Sequence, residues 1–359
     1  MFPWAPLALI STTVALLGLP VTPALVELLK RTDAAPLPTT RHDARITNFA
    51  EQFRSRMEPF LPELELCCAS GETRRVRNDG LEALLIGTEV SKGDFDFSSE
   101  LLRGVAAIVC REAALIPPAT NIQADVYAGG PVRVGENSAI RAALGISDIT
   151  LEPNSMALRW LHADGNAMLR QGSAVYGRLS AGECIYLERG CGFERIHAPH
   201  IFTRENSDSG SGCSLGDVDP DPSVPYPSEM LTFGPRSRVH GDFFLPPGET
   251  LNANVIVTGT LRFGEGSRFF GSAKSYKDTI IEPNASIYGC IVCSGNLHVG
   301  RSTFLGGPVM VEGDVVMGQG VRVGTPHALT TVSCQGARIA PGCHLHGTVW
   351  ARSRGIIED

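Results

Sequence analysis

The sequence predicts an all-β fold: a parallel β-helix solenoid with about 18 residues per three-strand coil, preceded by an N-terminal transmembrane helix and a short α/β region. Three observations predict it. Apolar residues recur every six positions through two long stretches, clusters of Gly, Pro and Asn recur every eighteen, and 39 glycines with 24 prolines in 359 residues are too many for a helical protein.

In chain order, the first element is apolar. Between Phe2 and Leu29 the one ionisable side chain is Glu27. As a helix, Trp4 to Val26 would extend about 35 Å, enough to cross a hydrocarbon core, with kinks at Pro20 and Pro23. A cleaved signal peptide would open with Lys or Arg, and no basic residue precedes Lys30. Residues 1–31 are therefore read as a single-pass anchor. Lys30, Arg31, Arg41 and Arg45 follow it, which places the rest of the chain on the cytoplasmic side of the inner membrane.

Residues 32–115 begin with an extended linker (TDAAPLPTT). Ile46, Phe49, Phe53, Met57 and Phe60 then fall at the spacing of an amphipathic helix, expected to pack on the first coil, with the membrane surface as the alternative. Strand-like patches follow at 83–86 and 107–110.

The first repeat array covers 116–202. Its six-residue ladder runs through Ile116, Ile122, Ala128, Val134, Ile140 and Ile146, slips by one, and continues from Leu151 through Ala157, Ala163, Leu169, Val175, Ala181 and Leu187 to Phe193. The second array, 239–352, runs from Val239 to Val323 without a skip. Ser275 is its one polar member. After an insertion near TPHALT it resumes at Ser333, Ile339, Leu345 and Ala351, and 353–359 form a tail. Eighteen residues make three six-residue sides, so each coil is a triangle with turn formers at its corners, stacked on its neighbours about 4.8 Å apart. The pattern leaves handedness open. Residues 203–238, rich in Ser, Gly, Asp and Pro, read as an insertion that buries no core of its own.

The second array resembles the bactofilin, or polymer-forming cytoskeletal, family of bacteria. The residues that carry the resemblance are VHGDFFLPPGETLNANVIVTGTLRFGEGSRFFGSA, IIEPNASIYG and the closing APGCHLHGTVWA. It implies a non-catalytic β-helix that associates end to end into filaments without nucleotide, a membrane scaffold for envelope or polysaccharide-synthesis proteins. An uncapped last coil at Val349, Trp350 and Ala351 would expose strand edges able to template another copy.

The alternative is a hexapeptide-repeat acyltransferase, in which a histidine acts as general base. Its candidates are His197, His200, His240, His298, His327, His344 and His346, with His327 in the TPHALT insertion. Each reads as a surface imidazole, because spacing assigns none of them a carboxylate partner. The string from Gly212 to Gly216 (GCSLG) matches a nucleophile elbow but lies in a low-complexity stretch. Cys290 and Cys293 form a lone CxxC with Cys293 in the inward phase, and Asp217, Asp219 and Asp221 lack the loop of a calcium site. No catalytic, metal or cofactor site is assigned. A net charge of −7 without a basic patch argues against nucleic acid, no GxxxxGK[ST] cradle for a nucleotide phosphate occurs, and ten scattered cysteines read as reduced thiols.

Overall fold

A computed structural model describes residues 4–19, 22, 46–87, 102–204 and 236–358. The chain divides into two units, 1–48 and 49–359. In the first, α1 spans Trp4–Gly18. Its hydroxyls turn back onto its own backbone, Ser11 and Thr12 donating to the Ala8 carbonyl and Thr13 to that of Leu9. Its described side chains are exposed. Fifteen residues make about 22 Å of helix, less than the roughly 30 Å of a hydrocarbon core. No described helix is long and apolar enough to cross a membrane. This corrects the expectation of one spanning helix from Trp4 to Val26. Gly18 is a poor helix former, and Pro20 disfavours helical backbone in the residue before it. Most of residues 20–31, the 32–40 linker, the GCSLG string and the three aspartates of the insertion lie outside the described residues.

The second unit opens within α2, Asn48–Met57, which is followed by a single 3-10 turn over Glu58–Phe60 and by α3, Leu61–Ser70. Pro59 and Pro62 sit in first turns, where a missing N–H costs nothing, and Gly71 ends α3 at φ 68°. Ala50, Phe53, Met57, Phe60, Leu64 and Cys67 form one stripe, which packs on Ala83, Leu85, Ala107, Val109, Tyr127 and Leu144. The strands Thr73–Asn78 and Leu81–Ile86 form an antiparallel hairpin, and the second of them pairs in parallel with Ala107–Cys110. Leu84, Ile86, Ile108 and Cys110 belong instead to the solenoid core. Burial on both faces explains why these two strands read as unbroken apolar runs.

From Ala107 the chain winds as a parallel β-solenoid of about 12 turns, ~18 residues apart. Ala167 lies beside Ile185, and Val255 beside Ala273. In triplets such as Val132–Val134 and Val309–Val311 the outer two residues are buried and the middle one is not. That alternation is the period of two within the period of six. Three walls result. In the first array a coil passes from the first wall (125–128) to the second (132–134) to the third (139–140). In the second array the order is first (255–257), third (261–263), second (268–269).

The corner between the second and third walls carries the eighteen-residue punctuation. Asn137, Asn154, Gly172, Gly190, Gly248, Gly266, Asn284, Ser302, Gly320 and Gly342 all have φ between 55° and 79° there, a conformation that Gly tolerates without strain and Asn better than most residues. At the corner between the first and third walls Asp242, Asp278 and Asn296 each accept a hydrogen bond from the backbone N–H eighteen residues on, and Asn254 does the same at the corner between the second and first walls. Ser275 is fully buried and satisfied internally, donating to Lys277 O and lying 2.7 Å from the Thr279 hydroxyl.

The two arrays join tail to tail in one column. Gly192–Thr203, the last strand of the first array, pairs antiparallel with His344–Ile357, the last of the second, from Gly192 opposite Ile356 to Phe202 opposite His344. Reversal of chain direction accounts for the opposite order of the walls. It also corrects the expectation of an open last coil. Val349 lies between Ile196 and Val332, Trp350 lies between Arg195 and Ser333, and the Arg195 guanidinium sits 4.9 Å over the Trp350 ring. Among the described residues, strands with a partner on one side only include Arg236–Val239, Phe243–Leu245 and Thr250–Asn252 at the far end of the second array, and Thr73–Asn78 and Ala114–Ile116 at the start of the first.

Two ladder positions also shift. Ile146 is 36% exposed, because this strand is one residue shorter between Ile140 and Ala142 than the strands on either side, which sets Gly145, not Ile146, beside Ala128. Ser333 lies beside the exposed Met310, while Val332 and Cys334 point inward, since the insertion adds five residues at this wall. Val311, at 4% exposure, sits in the continuous core. Val311→Asp is expected to lower unfolding stability by at least about 3 kcal/mol, because it places a carboxylate in that apolar core. An unchanged urea midpoint would remove this register.

Candidate functional site

The sequence singled out seven histidines, and the structure separates them. His240, His298 and His327 are exposed at three different places on the column. His327 lies on the turn closed by the Thr325–Ala328 bridge. His197 is half-buried on the first wall, with Nδ1 2.9 Å from the Thr348 hydroxyl across the joint.

His200, His344 and His346 come together. His200 ends the corner before Ile201, which pairs with Leu345. Leu345 points into the core, so His344 and His346, two apart on the same strand, both face outward toward His200. One potential ligand nitrogen from each ring lies within 4.8 Å of the others. Nδ1 of His200 is 3.3 Å from Nε2 of His344. The Pro199 carbonyl is 2.9 Å from Nδ1 of His346 and accepts its proton, which leaves Nε2 of that ring with the free lone pair. The Phe202 ring stacks on His344 at 4.1 Å, and Tyr186 stacks on Phe202 at 5.4 Å. Burial, with the neighbouring imidazoles and Arg322, pushes His344 down to about 3. Burial first, then His200, takes His346 down to about 4 against the opposing Pro199 hydrogen bond, and burial lowers His200. All three are therefore neutral near pH 7, the form in which imidazole can donate a lone pair.

A second cluster was not foreseen. Asp164 accepts two hydrogen bonds from Arg54 Nη2 of α2, at 2.6 and 2.7 Å. Its Oδ1 lies 3.1 Å from His162 Nε2, and His162 Nδ1 lies 2.7 Å from the Ser180 hydroxyl. The order of groups is that of a serine hydrolase relay. Ser180, however, is 0% exposed beneath the wall's outer layer, so as folded its oxygen meets no substrate. The chain of contacts instead ties α2 to the solenoid. Histidine and aspartate two apart, with serine eighteen after the histidine, is the signal that could have disclosed it: the first pair shares a strand face, and the second is one coil step. Nearby, α2 and the first wall enclose an open groove of about 640 Å³, lined in part by Phe49, Phe53, Trp160, Arg56, Arg178 and Glu194.

These features define a β-solenoid protein with an imidazole cluster at an internal joint. The chain matches no family model, no curated protein and no solved structure.

Burial is the largest influence on His162 and lowers it, against the opposing pull of Asp164 and Glu51 and with the help of Arg54. The unfolded chain thus takes up this proton more readily than the folded one. Stability from this site is complete above the ordinary histidine value of about 6.5 and falls as pH drops below it. A His162→Gln variant is expected to lose less melting temperature than wild type between about pH 7 and about pH 5. Parallel pH profiles for the two proteins would count against the assignment.

Proposed function

We propose that the protein is a non-catalytic, bactofilin-like scaffold that self-associates through one end of its column and organises envelope or polysaccharide-synthesis proteins. The observation that carries this reading is the end of the second array, where among the described residues no strand pairs on the outer side. Arg236–Val239, Phe243–Leu245 and Thr250–Asn252 each have a described partner on the inner side only, so three short edges at one end offer backbone groups to another copy. Phe244 beside them is 50% exposed. The joint supplies a precedent within the chain, since it shows that coils of this column pair end to end.

Attachment to the inner membrane, with the solenoid on the cytoplasmic side, is part of the same proposal. It is supported by α1, which carries no charged residue and exposes Leu9, Val14, Leu16 and Leu17 by 64% or more. Lys30 and Arg31 follow in the sequence.

Phe243 donates its N–H forward to Thr260 O, and Leu245 accepts from Gly264 N, so Phe244 between them turns its own N–H to the open side. Phe244→Pro removes that donor while leaving the inward ladder intact. In sedimentation and negative-stain microscopy of a chain beginning near residue 40, wild type is expected to form nucleotide-independent assemblies and the variant to form at least about tenfold fewer at equal concentration. Single wild-type particles at every concentration would end the scaffold reading. A discrete trimer that binds an acyl thioester and loses turnover on His327→Ala would establish the acyltransferase instead.

A further inference from the structure

We propose that His200, His344 and His346 bind one divalent d-block cation of the zinc type, which clamps the two arrays together at their joint. Three imidazole nitrogens within 4.8 Å of one another form a donor set suited to Zn²⁺ and its neighbours and not to Mg²⁺ or Ca²⁺, which take oxygen ligands. The spacing also fits. Two nitrogens at about 2.0–2.1 Å from a tetrahedral zinc ion lie about 3.3–3.4 Å apart. His200 Nδ1 and His344 Nε2 are 3.3 Å apart.

The third ring is oriented as zinc ligands commonly are, its Nδ1–H given to the Pro199 carbonyl and its Nε2 left to coordinate. The group as a whole, within 4.8 Å, closes on an ion by side-chain rotation of about 1.5 Å or less. The aromatic stack of Tyr186, Phe202 and His344 restricts the central ligand to its present plane. Arg322, the cation beside His344 in the ladder, is exposed, so its charge is screened by solvent. One ligand comes from the last strand of the first array and two from the last strand of the second. Binding is therefore coupled to the pairing of those strands, and the metal stabilises the joined column over its separated halves.

The experiment uses the full chain, stripped with chelator and titrated with Zn²⁺ by calorimetry and with Co²⁺ by visible absorption. Wild type is expected to bind one Zn²⁺ with micromolar or tighter affinity, to melt at higher temperature with Zn²⁺, and to give the intense visible bands of four-coordinate Co²⁺. His344→Ala and His200→Ala each weaken binding by at least about 100-fold and abolish the thermal shift, whereas His298→Ala, at an exposed site on the third wall, changes neither. No stoichiometric binding by wild type, or equal affinity in His344→Ala and wild type, would overturn the proposal. Should an alanine variant fail to fold, the wild-type Co²⁺ spectrum decides: six-coordinate, weak absorption refutes the site.

Discussion

Every coil of this column depends on the coil beside it. A single triangle of three short strands has two backbone edges to satisfy and inward side chains that its own turn cannot cover. Leu169, Leu187, Phe263 and Ile281 reach zero or nearly zero exposure because the next layer closes over them. The stacking contact is thus both the cohesive force and the vulnerability of the fold, and each departure from regularity must preserve it. The coil that is one residue short at Ile140–Ala142 keeps Ile140 and Ala143 in the inward row, and the turn at 324–329 pushes its extra residues outward while that row continues.

The ends pose the harder problem, and the chain solves them differently. At the start of the first array, the hairpin of Thr73–Asn78 and Leu81–Ile86 extends one wall, and α2 and α3 cover its outer face. At the end of each array the solution is mutual, since each last coil finishes the other. Phe193 lies so close to Gly355 that a Cβ there would strike the ring, and Gly347 follows a left-handed path where a Cβ would strike the Thr330 carbonyl. Gly355 thus lets strands of opposite chain direction meet closely at the joint, and Gly347 lets the last strand pack closely on the parallel strand before it.

Much of this was legible because a six-residue period is a local property. The inward rows, the eighteen-residue corner and the apolar stripe of Phe53, Met57 and Phe60 can all be read from neighbours in sequence. Ser333 was misplaced because small residues on both sides of the true inward positions, Val332 and Cys334, leave the register ambiguous by one. The joint was not legible, since hexads carry no mark of chain direction and strands about 150 residues apart leave no shared pattern. For the same reason His200, His344 and His346 read as three separate surface residues. Their meeting is a product of the antiparallel pairing and of nothing local. The relay of Arg54, Asp164, His162 and Ser180 needed two coils and a helix to be placed first.

The reversed junction sets a requirement on covalent connectivity. The chain leaves the first array at Thr203, in the middle of the column, and re-enters at Arg236, at its far tip. Six inter-strand steps along the first wall separate the His344–Ile357 strand from Arg236–Val239, a climb of about 29 Å. A fully stretched peptide needs about nine residues to cover that height. A tether shorter than this would force the second half to continue upward in the same direction as the first, turning a mirrored rod with two leading tips into an ordinary one-way stack.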